Sequence, residues 1–147
     1  KQMDINDRGF RNFVFKEATN KDSLDYGEII NNAFGDVLED NILEKILKDD
    51  SIKIYLLENE REVIGTITIQ YRKNISVGYI YDVAIKKEFR NQGLGSYLIK
   101  STLYKLRENN IKTALLSVVG ENINALSLYQ RIGFKVVDID IVMEKHL

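Results

Sequence analysis

Arg90-Asn91-Gln92-Gly93-Leu94-Gly95-Ser96 sets two glycines one residue apart, behind an arginine and ahead of a helix-forming run. Those residue types in that order suit a phosphate. The first four amides of a helix lack internal partners and carry about half a positive charge between them. Glycine at 93 and 95 clears side chains from those amides, and Arg90 adds a fixed charge at the same end. Three familiar nucleotide loops do not fit. A dinucleotide fingerprint needs a third glycine where Leu98 stands, and an acidic residue where the chain reads "IKTALLS". A P-loop needs Gly-Lys-Ser/Thr, but Ser96 and Tyr97 follow Gly95. A kinase glycine loop joins two strands, whereas this one opens a helix. On spacing alone, a tight strand-to-helix turn explains the glycines equally well.

A second constellation is Asn122, Ala125 and Tyr129. Their i, i+3, i+7 spacing puts them on one helical face. A phenol with a pKa of about 10 is protonated at neutral pH and can donate to a leaving group. On "GYIYDVAI", strand alternation sends Tyr79 and Tyr81 to one face and Asp82 to the other. A neutral tyrosine is a poor base near pH 7, so the two tyrosines suit the positioning of a water. Glu28, Asp36 and Glu39 are further acids, and spacing does not choose among them. Lys86, Lys87 and Glu88 read as a solvated turn, and Tyr97 and Tyr104 as facing solvent or a partner. Asp49-Asp50 and the "DID" of Asp138–Asp140 lack a supporting cluster, so no metal site is expected.

The 147 residues are enough for one domain with a core and too few for two ordinary ones. A net charge of −1 marks neither a nucleic-acid nor a membrane surface binder. The chain has no cysteine and one histidine, His146, which excludes disulfides, thiolate nucleophiles and histidine triads. No apolar run approaches membrane-spanning length and no leader-like segment is present, so a cytoplasmic enzyme or binding domain is expected. The opening residue is Lys1 rather than methionine, as in a piece trimmed from a longer chain.

The elements that must position these residues follow from periodicity. Residues 1–12 read as a polar lead-in and 13–147 as one domain. Phe13–Thr19 alternates as a strand. A helix follows, capped by Asp22 or Ser23, with Leu24, Ile29, Ile30 and Ala33 as its stripe. A second helix is expected in "LEDNILEKILKDD", carried by Ile42, Leu43, Ile46 and Leu47. Ile52 to Ile85 reads as an antiparallel meander of three strands, the last beginning at Asn74. In the next helix Gly95, Leu98, Ile99, Thr102, Leu103 and Leu106 share one arc. "TALLSVV" is a buried strand, and the helix of "ENINALSLYQRIG" closes at Gly133. "FKVV" and "IVMEK" are the final strands. The order β-αα-βββ-α-β-α-ββ is α/β with a mixed sheet rather than a regular βα repeat.

Arg90 to Gly95 matches the R/Q-x-x-G-x-G/A motif of the GCN5-related N-acetyltransferases, and stands, as it does there, after a strand ending "VAI" and before a long helix. "NINALSLYQRIGF", Asn122 to Phe134, resembles that family's second signature, N-x-x-A-x-x-x-Y-x-x-x-G-F. The resemblance runs from Phe13 to Leu147. It implies the GNAT fold: a mixed, mostly antiparallel central sheet of six to seven strands flanked by about four helices. It also implies acetyl transfer from acetyl-CoA to a primary amine, of a small molecule or a peptide, by direct attack in a ternary complex without metal.

By the same resemblance the amides of Gln92, Gly93, Leu94, Gly95 and Ser96 hold the pyrophosphate beside Arg90, with Asn91 also at the cofactor. The backbone of Val83, Ala84 and Ile85 takes the pantetheine arm as an added strand. The Val83 amide stabilises the thioester oxygen. Asn122 bonds the CoA arm, Ala125 leaves it room, and Tyr129 is the general acid. Relatives that use a side-chain base carry it where Tyr79 and Tyr81 stand, so the base is not identified. Partners are limited to acetyl-CoA and the amine, with a homodimer compatible with the family. A non-catalytic acyl-CoA-binding or regulatory module is the alternative. Relatives also close the sheet with a looped pair of strands. No Gly, Asn or Pro separates "FKVVDID" from "IVMEKHL", so a loop near Asp140 is expected to be missing from the chain as numbered.

Overall fold

A computed structural model describes residues 12–117, 123–136 and 142–147. Seven strands form one sheet: β1 (Val14–Glu17), β2 (Ile52–Glu58), β3 (Val63–Arg72), β4 (Val77–Ile85), β5 (Thr113–Ser117), β6 (Lys135–Val136) and β7 (Val142–His146). Four helices flank it: α1 (Ser23–Phe34), α2 (Ile42–Ile46), α3 (Leu94–Glu108) and α4 (Ile123–Ile132). The spatial order is β1-β2-β3-β4-β5-β7-β6, antiparallel throughout except for the parallel pair β4–β5. The expected element order and mixed sheet are therefore present.

Each face of the sheet has its own core. On one, Tyr26, Ile29, Ile30 and Leu43 of α1 and α2 pack on Ile54, Leu56 and Ala84. On the other, Leu94, Leu98, Ile99, Leu103 and Leu106 of α3 pack on Leu57, Ile64, Ile67, Ile69 and Ile80, with α4 alongside. Fully burying such a side chain contributes about 1.5–3 kcal/mol, so two covered faces hold the sheet rigid. The α3 arc matches the sequence expectation.

Several expectations need correction. Leu24 is 69% exposed, and Tyr26 takes its place in the α1 stripe. Asp22 stands at the N-cap of α1 but does not cap it with its side chain; its carboxylate accepts from the Thr19 amide at 2.8 Å. The second helix shortens to Ile42–Ile46. β4 begins at Val77, because Lys73–Ile75 form a 3₁₀ turn that ends on Ser76 in the left-handed region. Tyr97 is half-buried against the α3 core rather than facing solvent, and Tyr104 is also half-buried. The expectations for Asn122, for Asp138–Asp140 and for a missing loop near Asp140 lie outside the described residues.

Candidate functional site

The site lies along β4, beside the last described residues of β5. Among the described residues, β4 and β5 pair from Val77↔Thr113 to Ile80↔Leu116, while Tyr81, Ala84 and Ile85 of β4 pair with β3. There lies a cleft of about 480 Å³ lined by Tyr79, Tyr81, Asp82 and Val83 of β4, Leu116 and Ser117 of β5, and Ala125 and Tyr129 of α4. Phe34, at the end of α1, closes one side, and Gln70 of β3 the other. A second groove of about 690 Å³ runs from Val83, Ala84 and Ile85 to the N-terminus of α3. Phe34, Val83 and Ala125 line both, so the two are one continuous channel.

The groove end is built for an anion. Gly93 occupies the N-cap of α3 at φ 82°, a conformation that costs glycine nothing and most residues about 1 kcal/mol or more. Tyr97 N–H donates the first helical bond, to Gly93 C=O at 3.1 Å, which leaves the amides of Leu94, Gly95 and Ser96 without intrahelical acceptors. Arg90 is anchored there: its Nε donates to the Ile85 carbonyl at 3.0 Å, and the residue lines the groove. Asn91 lines the groove as well. Gln92 is exposed and does not line it. Arg131 and Asn124, on α4, line it too and were not singled out from sequence, since both fall between the motif positions. Among the described residues, two arginines line the groove and no acid does.

Tyr129 stands on the cleft wall opposite β4. Gly133 ends α4 at φ 117°, and the amides of Gly133 and Phe134 both donate to the Tyr129 carbonyl, at 3.1 and 3.0 Å. Phe134 is buried and meets the Tyr129 ring edge-on at 6.0 Å between centroids. The signature glycine and phenylalanine therefore fix the tyrosine from behind. Burial raises the Tyr129 pKa above the ordinary phenol value, so the hydroxyl is a proton donor at neutral pH.

β4 departs from simple alternation. Between the pairs Thr66↔Ala84 and Thr68↔Tyr81, β3 has one residue, Ile67, and β4 has two, Asp82 and Val83. This is a β-bulge, with Asp82 at φ 50°. The bulge cancels one step of alternation. Tyr79, Tyr81 and Asp82 are all exposed and line the same cleft, so the expectation that Asp82 points to the opposite face is wrong. Burial, and next the Asp36 carboxylate, raise the Asp82 pKa above its ordinary value. Burial, then Asp82 and Asp49, raise that of Tyr81.

Glu28, Glu39 and Asp49 are otherwise engaged. Lys86 is 6% exposed rather than solvated, and its ammonium bonds Glu28 at 2.9 Å and Glu62 at 3.0 Å. Glu39 pairs with Lys45. The Asp49 carboxylate accepts from the Ser51 amide and hydroxyl, at 2.9 and 2.6 Å. With the Lys87 amide donating to Asn32 Oδ1 at 3.2 Å, the Lys86–Glu28 pair ties α1 to the segment before the glycine loop. Sequence could not find this pairing, because Glu28 and Lys86 meet only in the fold.

Comparison with known proteins comes to the same place. The profile of the acetyltransferase (GNAT) family matches residues 15–134. N-alpha-acetyltransferase 30 of Dictyostelium discoideum is 39% identical over 75 residues, 50% of this chain and 40% of that protein. Mycothiol acetyltransferase of Corynebacterium glutamicum is 28% identical over 96 residues, 65% of this chain and 32% of that one. The chain thus matches well under half the length of these relatives. Among solved structures, PaiA N-acetyltransferase of Thermoplasma acidophilum, in complex with coenzyme A, superposes with a TM-score of 0.78 at 18% identity, covering 92% of this chain and 99% of that one. The ribosomal-protein-S18-alanine N-acetyltransferase of Escherichia coli gives a TM-score of 0.78 at 16% identity, covering 91% and 93%. At these identities the superpositions establish the fold.

Proposed function

Because the chain belongs to the acetyltransferase (GNAT) family, we propose that it transfers the acetyl group of acetyl-CoA to a primary amine by direct attack. The observation that carries this is the charge polarity of the channel. Among the described residues, arginines line one end with no acid, and Asp82 is the one carboxyl group of the other end. The first end suits a pyrophosphate and the second an alkylammonium, and the two meet at Val83 and Ala125.

The free amides of Leu94 to Ser96 and the Arg90 guanidinium would hold the pyrophosphate. The stretch Val83–Ile85, whose Ala84 and Ile85 pair with β3 and which pairs with no described residue of β5, offers a strand edge to the pantetheine arm. The Val83 amide serves the carbonyl oxygen of the thioester, whose negative charge grows as the amine adds, so a donor there favours the transition state selectively. Tyr129, neutral and held by Phe134, gives its proton to the departing sulfur. With no cysteine in the chain, direct attack needs no acyl-enzyme.

The acceptor is a primary amine of a small molecule or of a peptide. The relatives' names diverge on this point, from mycothiol to an alanine of a ribosomal protein. A panel of amines with acetyl-CoA tests the activity, with release of free thiol as the signal. Tyr129→Phe should lower kcat roughly ten- to a thousand-fold and leave the KM for acetyl-CoA nearly unchanged. A wild-type kcat in that variant, with chemistry rate-limiting, removes Tyr129 from the mechanism.

A further inference from the structure

We propose that Asp82 is the general base that deprotonates the incoming amine, brought to the acceptor side of the cleft by the bulge in β4; this rests on the acetyl-transfer reading above. In an unbroken strand Asp82 would face away from Tyr79 and Tyr81, and the cleft would have no carboxylate. The extra residue at Asp82-Val83 adds Asp82 to Tyr79 and Tyr81 on one space. It does so at φ 50°, where aspartate is among the few tolerant side chains. Val83, the other bulge residue, lines both halves of the channel, so the base and the oxyanion donor are sequence neighbours.

The competitors are weaker. Tyr79 and Tyr81 carry phenols rather than carboxylates, and burial, then the Asp82 and Asp49 charges, favour the neutral form of Tyr81. Glu28 is bonded to Lys86 and Glu39 to Lys45. Asp36 does not line the cleft; it acts on Asp82 through space. The titratable groups that face Asp82 are Tyr26 on α1, Asp36 just beyond α1, and Tyr81 on β4, with Tyr129 across the cleft on α4. Tyr26 is pushed up to about 12, by burial and then by Asp82, so it stays neutral. Burial, and next Asp36, raise the Asp82 pKa and so make it a stronger base than a free aspartate.

The protons balance. An acceptor ammonium gives one proton to the Asp82 carboxylate, which passes it to solvent. The amine nitrogen then bonds to the acetyl carbon. The C–S bond breaks, and Tyr129 protonates the sulfur. The second nitrogen proton leaves the tetrahedral adduct and restores Tyr129 through water. One proton goes to solvent, one ends on the thiol, and nothing is oxidised.

The test is the pH dependence of kcat/KM, using an amine that the wild type accepts. Asp82→Asn suits it because asparagine tolerates the left-handed bulge conformation. Near neutral pH its kcat/KM should fall roughly a hundred-fold with the KM for acetyl-CoA unchanged, and the deficit should shrink as pH approaches about 10, where the amine loses its proton unaided. Asp36→Asn should move the acidic limb of the profile to lower pH, because a like charge has been removed. A wild-type pH profile in Asp82→Asn, or an unmoved limb in Asp36→Asn, overturns the assignment and leaves acetyl transfer standing. A wild type that acetylates no amine in the panel overturns both.

Discussion

Gly95 separates the needs of the fold from the needs of the ligand. A Cβ built on it would lie 3.7 Å from Leu128 Cδ2, an ordinary contact, and would meet nothing else within 4 Å. Gly95→Ala is therefore accommodated, and the helix propensity of alanine over glycine is worth up to about 1 kcal/mol. For a domain of this size that corresponds to a Tm rise of roughly 2 to 4 °C. Gly95→Leu continues along the same direction, from the first turn of α3 toward α4, into the groove that Gly95 and Leu128 both line. Its added carbons have open groove to occupy, so the fold should survive, but they stand over the amides offered to the pyrophosphate. Losing those contacts should raise the Kd for CoA at least about ten-fold, or about 1.4 kcal/mol. Calorimetric titration with CoA, beside a thermal melt of each variant, reads both quantities. The alanine variant should bind CoA nearly as the wild type does, and the leucine variant should melt normally and bind poorly. A leucine variant with wild-type affinity would refute the placement of the pyrophosphate at this helix end.

Gly78→Ala should destabilise by about 1–3 kcal/mol, because its Cβ would stand 2.4 Å from Leu106 Cδ2 in the α3 core; a thermal melt should show a drop of several degrees. Lys86→Met should cost only about 1 kcal/mol, since Glu28 and Glu62 are 65% and 45% exposed and can rehydrate; a denaturant-unfolding loss above about 3 kcal/mol would mean that the pair is effectively buried. Burial lowers the Lys86 pKa, but the bonds to Glu28 and Glu62 outweigh it and the net shift is upward. Its contribution is therefore full below the ordinary lysine value and is lost as pH rises through the higher folded value. In alkaline melts the gap between Lys86→Met and wild type should close only there. Asp82 also has a raised folded pKa, so its contribution is present at acid pH and lost as pH rises through that value. Asp82→Asn should accordingly gain stability relative to wild type between acid and neutral pH, and a constant difference across that range would count against the shift.

Short-range patterns made much of this protein legible. The arc from Leu98 to Leu106, the glycines after Arg90 and the tyrosine four residues before Gly133 each depend on neighbours within a few turns of chain. Local backbone geometry is set by such neighbours, so the helix N-terminus and the α4 face could be read directly. The meander from Ile52 to Ile85 was equally plain, because alternation and a short turn specify antiparallel pairing. What escaped is what depends on distant partners. Leu24 is as apolar as Ile29, yet only the packing of α1 on the sheet decides that Tyr26 is buried and Leu24 is not. Lys86 looks like a surface lysine until Glu28 and Glu62, far off in sequence, converge on it. The bulge is the most consequential case. Period-two alternation is a rule for an unbroken ladder, and nothing in "YIYDVAI" announces that β3 will spend one residue where β4 spends two. A single inserted residue turns Asp82 into the same cleft as Tyr79 and Tyr81, because strand pairing, and not residue type, fixes which way a side chain points.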